Sequence, residues 1–337
     1  MKTLSFNRSF AGPMVVLAVM LVALGIVSSE AFQTNPSELA VAITVDLTLI
    51  SPLLYLLLVR KTNIPSISVV PVFVLGLIIS GLLLPSQHHA TLDFIESWVL
   101  PIVELTAISI IFWKFVKLRK TFKARSAQHP DFFEAMKEAA KQVIPGKVSV
   151  FLATELSTFY YGLFCWRKPP LAPLEFTYHK KSGSVALLYT VMLVAMAETV
   201  ILHLLIERWS ATVAWILTVI SIYTVFQVLG IVRSMNKRPI KMADGQIKLR
   251  YGMLSEANLP FDQIASIEAS TVDREWDKEV RKLTPFGDLE SHNVILKVKE
   301  PQRISGMYGF KKSFRELAFH VDQPHDFVAE VERATKL

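Results

Sequence analysis

Residues 209–251 read WSATVAWILTVISIYTVFQVLGIVRSMNKRPIKMADGQIKLRY, and both parts of the fold are visible in this run. Its first part, Trp209–Val232, is apolar and long enough to cross a bilayer, which takes about 20 such residues. Three cations lie in the next six positions, and Lys and Arg of this kind mark the cytoplasmic end of a membrane helix. Two short alternating runs, 239–243 and 246–251, then flank an Asp-Gly pair typical of a β-hairpin. The stretch therefore predicts a membrane helix that leads directly into a cytoplasmic β-rich domain.

Five more apolar runs of similar length lie upstream of this stretch. The chain has 337 residues, of which 52% are hydrophobic and 19% are charged, whereas soluble proteins carry about 25% charged residues. The predicted spans are Ala11–Ser28, Leu39–Val59, Ile67–Leu84, Trp98–Phe115, Ser184–Ile206 and Trp209–Val232. The sequence therefore predicts an α-helical polytopic membrane protein with about six transmembrane helices in residues 1–232.

Lys and Arg in the short flanks orient these spans, since such residues accumulate on the cytoplasmic side. Basic clusters follow the second, fourth and sixth spans and precede the fifth, while the opposite flanks are mostly acidic. We therefore expect a multi-pass protein of the bacterial inner membrane with both termini in the cytoplasm. Lys2 and Arg8 before the first run also fit a signal peptide. Because the run is long and no clear cleavage site follows, we predict a retained helix.

The region 116–182 is predicted to be cytoplasmic, although it contains a seventh apolar run, Val148–Trp166. If this run crossed the bilayer, the basic stretch Arg167–Lys181 would lie outside, so we predict a re-entrant or interfacial helix. Before it, Asp131–Val143 has apolar residues on one helical stripe. That pattern fits a helix lying on the inner membrane surface or a packed connecting helix.

After residue 238 the pattern changes from spans to strands, predicted at 264–270, 293–299 and 316–321 after the hairpin, and to a closing helix at 326–334. The run IKMADGQIKLRYGMLSEANLPFDQIASIE, residues 240–268, resembles the opening of bacterial PH-like domains found beside membrane helices. The run FHVDQPHDFVAEVERA, residues 319–334, is similar to the last strand and C-terminal helix of that fold. The resemblance implies that 239–337 form a small, mostly β, PH-like domain with a bent sheet. It does not imply phosphoinositide binding.

The membrane half also resembles a family of uncharacterised bacterial integral membrane proteins. The similar pieces include DLTLISPLLYLLLVRKTNIP at 46–65 and ELSTFYYGLFCW at 155–166. This resemblance implies no particular activity.

Ionisable residues inside predicted spans are the first candidates for function, because each costs about 2.5–3.5 kcal/mol to insert. Asp46, Glu104 and Glu198 lie on three different helices, each about six to eight residues below the outer surface. His203 lies nearer that surface, and His88 is on an outer loop. Glu155 lies in the seventh apolar run, beside a polar stripe formed by Thr154, Ser157, Thr158 and Tyr161.

Three interpretations of these residues stay open at this point. The set Asp46, Glu104, Glu198, His203 and Glu155 could be catalytic, with Asp46, Glu104, Glu198, His203 and His88 holding a divalent cation such as zinc. The same carboxylates could pass protons or bind a cation in transport. Each acid could instead make an interhelical hydrogen bond. Glu198 and His203 are about 140° apart around an ideal helix, which weakens a single-metal site.

The sequence predicts a polar site but names no reaction, and whether the protein is an enzyme stays open. The first hypothesis is a metal-dependent membrane-embedded enzyme acting on a lipid-like substrate. The alternatives are a proton- or cation-linked transporter, and a membrane scaffold whose PH-like domain binds partner proteins. Walker, GxGxxG, GxSxG, CxxC and HExxH motifs are absent from the sequence. We expect no nucleic-acid partner, since residues 233–337 carry 18 Lys+Arg against 16 Asp+Glu rather than a basic excess.

Overall fold

The computed structural model describes residues 10–60, 62, 64–126, 131–144, 146–166, 170–272 and 279–335. The chain is mostly helical, with a β sheet in its C-terminal part. It divides into two compact units. The first unit comprises Met1–Arg125 and Glu138–Ser149, and the second comprises Ser126–Lys137 and Val150–Leu337. Lys2, Arg8 and Arg167, which entered the predicted topology, lie outside the described residues.

The first unit is a group of apolar helices. They are α1 (Ala11–Val27), α2 (Glu30–Thr34), α3 (Pro36–Val59), α4 (Ser66–Leu83) and α5 (Ala90–Ser126). Helices α3, α4 and α5 are long and apolar enough to cross a membrane, while α1 is apolar but shorter, at 17 residues. Helix α5 extends beyond the predicted span 98–115 at both ends.

Two π-helical turns interrupt these helices, at Asp46–Ile50 in α3 and at Ile95–Val99 in α5. Helices α3 and α4 approach each other closely at the first of them. A Cβ atom on Gly76 would collide with the carbonyl group of Leu47, so only glycine allows this contact. The buried hydroxyl of Thr48 donates to the carbonyl oxygen of Thr44 at 2.6 Å.

The second unit contains the remaining helices. They are the first half of α6 (Phe132–Val143), most of α7 (Lys147–Phe164), and α8 (Ser184–Glu207), α9 (Ala211–Lys237) and α10 (Pro324–Thr335). Helices α8 and α9 are long and apolar enough to cross a membrane, and they form an antiparallel pair joined by a tight turn. Five described helices are thus long and apolar enough to cross a membrane, and α7 is not among them.

Helix α7 packs against α9 through its polar stripe. Thr154, Ser157, Thr158 and Tyr161 are all buried. At the crossing point, a Cβ atom on Gly230 would lie 2.8 Å from the carbonyl oxygen of Thr158. The stripe therefore faces a neighbouring helix of the same unit.

One eight-stranded sheet completes the second unit. Its strands are β1 (Glu175–Phe176), β2 (Ile240–Ala243), β3 (Gln246–Tyr251), β4 (Ser255–Pro260), β5 (Ile264–Ala269), β6 (Val280–Lys282), β7 (Val294–Gly306) and β8 (Lys311–Phe319). The strand order is β1-β2-β3-β4-β7-β8-β6, with β5 also paired to β7. The pairs are antiparallel except β6 with β8, which is parallel.

The predicted hairpin is confirmed, because Asp244 and Gly245 join β2 and β3 with φ values of 55° and 72°. Two positive φ angles define the turn that matches the twist of paired strands. The predicted strands near 264–270, 293–299 and 316–321 and the closing helix also form, with longer bounds for β7 and β8. The sequence did not predict β1, β4 or β6. The PH-like identity of the sheet stays a prediction.

The core of the second unit is continuous from the sheet to residues outside 239–337. Ile240, Leu249 and Leu296 on the strands are fully buried, and α10 covers the sheet with Phe327 and Val331. The same apolar cluster contains Phe133 from α6, Tyr178 from the segment after β1, and Met235 from α9. For the first half of α6, the structure therefore shows a packed connecting helix.

Candidate functional site

Glu155 is the predicted acid that the structure surrounds with hydrogen-bond donors. Its carboxylate accepts from the Tyr308 hydroxyl at 2.7 Å, from the Gln227 side-chain amide at 3.4 Å, and from the Tyr223 hydroxyl. Gln227 also donates to the hydroxyl oxygens of Tyr223 and Tyr308, at 3.0 and 3.1 Å. We call Glu155, Tyr223, Gln227 and Tyr308 the Glu155 cluster. Helix α7, helix α9 and the tip of the β7–β8 hairpin thus meet at one carboxylate.

Local geometry explains why these side chains converge. Tyr223 and Gln227 are four residues apart on α9, so they lie on the same face of the helix. Phe151, one turn before Glu155 on α7, stacks on the Tyr308 ring with 5.4 Å between centroids. Tyr308 has φ of 60° at the hairpin tip, a left-handed conformation that is uncommon for a tyrosine. The ring and hydroxyl contacts hold it there.

Tyr308 acts in this cluster as a neutral donor. Burial raises the pKa of its phenol well above the usual value, and the hydrogen bond to Glu155 and the negative charge of that carboxylate raise the pKa further. The phenol therefore keeps its proton at physiological pH and donates it to the carboxylate. This arrangement can hold the hairpin tip against the helices, and it satisfies a carboxylate without a cation.

A second polar cluster lies where α9 enters the sheet. Arg238, 1% exposed, donates through Nε to Asp131 at 2.7 Å and through Nη2 to Glu256 at 2.9 Å. Its Nη1 donates to the carbonyl oxygen of Gly252. Glu256 also pairs with Lys137. We call Asp131, Lys137, Arg238 and Glu256 the Arg238 cluster.

Neighbouring positive charges determine the protonation state of the two carboxylates in this cluster. Burial alone would raise the pKa of Asp131, but the positive charges of Arg238 and Arg250 outweigh burial and lower that pKa to about 2. Burial likewise opposes ionisation of Glu256, and the charges of Arg238 and Lys137 lower its pKa to about 2. Both carboxylates therefore stay ionised at every physiological pH. The guanidinium fork of Arg238 satisfies three acceptors from different parts of the chain.

The remaining predicted acids lie on three different helices of the two units. Asp46 lies on the π turn of α3 and Glu104 on α5, both in the first unit and both with exposed side chains. Glu198 lies on α8 in the second unit and is also exposed. The prediction that these three acids share one site stays a prediction.

Both predicted histidines have hydroxyl partners. Nδ1 of His203 lies 2.7 Å from the Thr218 hydroxyl, and its ring packs edge-on against Trp215. Nδ1 of His88 lies 3.3 Å from the Ser37 hydroxyl. Across the part of the chain that the structure describes, no group of three or more His, Cys, Asp or Glu residues is arranged to hold a metal ion.

The sequence pattern did not indicate Tyr223, Gln227 or Tyr308 as site residues, and Arg238 was predicted only as a cation of the membrane flank. The Tyr223 and Gln227 pair was visible in principle, as two polar residues at helical spacing within an apolar span. Tyr308 carried no such signal, because 153 positions separate it from Glu155.

Comparisons with known proteins add no relative. No protein-family model matches the chain, and searches of curated proteins and of solved structures found no similar protein. Function is therefore inferred from the geometry of the two clusters.

Proposed function

We propose that this protein is a membrane scaffold that holds its C-terminal β domain in a fixed orientation at the cytoplasmic face of the membrane, where the domain binds partner proteins. The single observation that carries this proposal is the buried Arg238 cluster. A freely tethered domain would need only a flexible linker after the last span. Here the residue directly after α9 is a buried arginine bonded to Asp131 just before α6, to Gly252 and to β4.

The segment that leads into α8 is attached to the same domain. Backbone N–H groups of Lys180 and Lys181 donate to the Asp322 carboxylate at 3.3 and 2.8 Å. Ser184, the first residue of α8, donates to the buried carboxylate of Glu290. The start of α8 and the end of α9 are therefore both bonded to the β domain. Attachment at both ends supports a role in which the orientation of the β domain matters.

The proposed location is the bacterial inner membrane, with about six spans and both termini in the cytoplasm. The five apolar helices and the Lys and Arg clusters beside them support this location. The PH-like character of the sheet is part of the same proposal, and such domains commonly mediate protein contacts.

In-cell photocrosslinking tests the scaffold. A photoreactive amino acid replaces Val272 or Leu289, apolar residues of the β domain that are 64% and 76% exposed. We expect discrete protein adducts after irradiation of living cells. Arg238→Lys should reduce them by at least half, since a lysine cannot bond three acceptors in fork geometry. The matched control Arg333→Lys changes an exposed pair on α10 and should leave the adducts intact.

A second variant separates the scaffold from the enzyme and transport hypotheses. Asp46→Asn, Glu104→Gln and Glu198→Gln combined should leave the adducts unchanged, because those acids lie outside the β domain. Absence of adducts at both positions overturns the proposal, as does their loss in the triple variant. If the Arg238→Lys variant does not accumulate in membranes, Asp322→Asn is used in its place. This substitution weakens the attachment between Asp322 and the segment that leads into α8.

A further inference from the structure

A groove of about 810 Å³ lies in the β domain between β6 and the tip of the β7–β8 hairpin. This volume is within the range of about 300–1,000 Å³ that small-molecule sites occupy. Its walls are largely apolar, with side chains from the loop before β4, from the chain after β6 and from the hairpin. They include Leu254, Leu283, Ile304, Met307 and Phe310.

The groove is also strongly basic. Arg281, Lys282, Lys311 and Lys312 line it, and among the described residues of its lining Asp288 supplies the single carboxylate. Lys282 pairs with Asp288 at 3.2 Å, whereas Lys311 and Lys312 are exposed and form no ion pair with any described residue. The groove therefore combines an apolar wall with an excess of positive charge, which suits a ligand with an anionic end and a hydrocarbon end.

The Glu155 cluster sets the depth of this groove relative to the bilayer. Tyr308, which lines the groove, bonds to Gln227 on α9. Gln227 lies six residues before Arg233, about 9 Å along the helix on its membrane side. In the proposed topology Arg233 is the first cation of the cytoplasmic flank, and this topology places the hairpin tip at the depth of the inner-leaflet hydrocarbon. The neighbouring Phe310 is 71% exposed.

The lysines follow the tip along the chain, since strand β8 begins at Lys311 and leads away from the tip. With a rise of about 3.3 Å per residue, Lys312 lies up to about 13 Å beyond Tyr308. This reach exceeds the distance of about 9 Å between Gln227 and Arg233, so a β8 strand directed toward the cytoplasm brings the ammonium groups to the level of the lipid headgroups. In that orientation the groove has its apolar end in hydrocarbon and its basic end among phosphates.

We propose that this groove binds one anionic glycerophospholipid of the inner leaflet, with the phosphate at Lys311, Lys312 and Arg281 and an acyl chain along Met307 and Phe310. An acidic peptide would match the charge, but it would have to place polar backbone at hydrocarbon depth. A lipid meets both requirements of the groove. This inference goes beyond the scaffold role; it rests on the proposed membrane location of the β domain and not on partner binding.

Native mass spectrometry of the full chain in detergent tests the site. The purified, delipidated protein is titrated with phosphatidylglycerol, with phosphatidylcholine and, separately, with glycerol 3-phosphate. We expect saturable binding of phosphatidylglycerol with a stoichiometry of one for the tightest site. Lys311→Gln with Lys312→Gln should weaken that binding about 30-fold, from a contribution of about 1 kcal/mol for each lysine near an anionic lipid.

A matched double variant controls for net charge. Lys297→Gln with Lys299→Gln removes the same charge from exposed positions of β7 outside the groove and should change the affinity less than threefold. Phe310→Ser, which keeps every cation, should weaken phosphatidylglycerol binding while leaving any binding of glycerol 3-phosphate unchanged.

Several results would overturn the proposal. Equal losses in the two lysine variants would mean a general charge effect. Binding of glycerol 3-phosphate as tight as that of phosphatidylglycerol would indicate a site for free phosphate esters. Unchanged lipid binding together with loss of the in-cell adducts in the Lys311 and Lys312 variant would indicate a protein ligand. Failure of lipid binding with adducts retained leaves the scaffold standing, and the reverse result leaves the lipid site standing.

Discussion

Glu256 shows how one buried carboxylate can depend on its neighbours. Its oxygens contact Arg238 at 2.9 Å and Lys137, and these charges keep its pKa at about 2 despite burial. In an unfolded chain the same group protonates near its ordinary value of 4.5. A pKa that is lower in the folded chain means that the group stabilises the fold above the unfolded pKa. This stabilisation is lost as the pH falls from about 5 to about 2.

The first prediction follows from the direction of this pKa shift. Glu256→Gln should be less stable than the wild type by on the order of 3 kcal/mol at pH 6. The difference should shrink progressively as the pH approaches 2, because the wild-type carboxylate then also becomes neutral. Thermal unfolding of the detergent-solubilised full chain, followed by tryptophan fluorescence from pH 7 to pH 3, measures it.

Glu330→Gln is the control for this measurement. Glu330 forms a surface pair with Arg333 on α10, and such pairs contribute little. Its difference from the wild type should stay small and constant with pH. A Glu256→Gln difference that is equally constant would contradict the assigned ionisation of Glu256.

At the scale of elements, the α7–α9 crossing depends on one missing side chain. Gly230 faces the backbone of Thr158 so closely that a Cβ atom would meet its carbonyl oxygen at 2.8 Å. The polar stripe of α7 is buried by this approach, and Glu155 is brought to Tyr223 and Gln227. The crossing therefore positions the Glu155 cluster.

The second prediction concerns that crossing. Gly230→Ala should destabilise the folded chain by about 1–3 kcal/mol, because overpacking moves a backbone rather than a flexible side chain. The same substitution at Gly25 in α1, where nothing lies within 4 Å of an added Cβ, should be neutral or slightly stabilising. Thermal unfolding in detergent distinguishes the two substitutions. Equal effects on stability would show that α7 and α9 can move apart at the crossing without cost.

At the scale of the whole molecule, the topology depends on which helices cross the membrane. Five described helices are long and apolar enough to cross it, whereas α1 is shorter and α7 contains Glu155 and a buried polar stripe. The Lys and Arg clusters are all on one side if α1 crosses and α7 does not.

The third prediction is this topology. Reporter fusions after Ser182 and after Leu337 should both report a cytoplasmic location, since the basic clusters flanking the spans stay inside. Paired alkaline phosphatase and fluorescent-protein fusions at each site supply the measurement and its internal control. A periplasmic signal at Ser182 would mean that α7 crosses the bilayer.

Much of the fold was predictable because its signals are local. Apolar runs such as Trp209–Val232 predict membrane helices from composition alone, and Asp244-Gly245 predicts a hairpin from the φ angles that these residues tolerate. Strands β1 and β6 were not predicted, because they are only two and three residues long. Their existence depends on the partner strands Ile240–Ala243 and Lys311–Phe319, which lie far away in sequence.

The membrane helices and most of the longer strands could be located from the sequence, since hydropathy and turn chemistry act over a few residues. Which polar side chains meet became clear only from the folded structure. Glu155 was visible as a candidate, but its partner Tyr308 lies 153 positions away, and Arg238 looked like one more flanking cation until Asp131 and Glu256 surrounded it. The physical reason is that a buried charge selects its partners through packing, which no local pattern encodes.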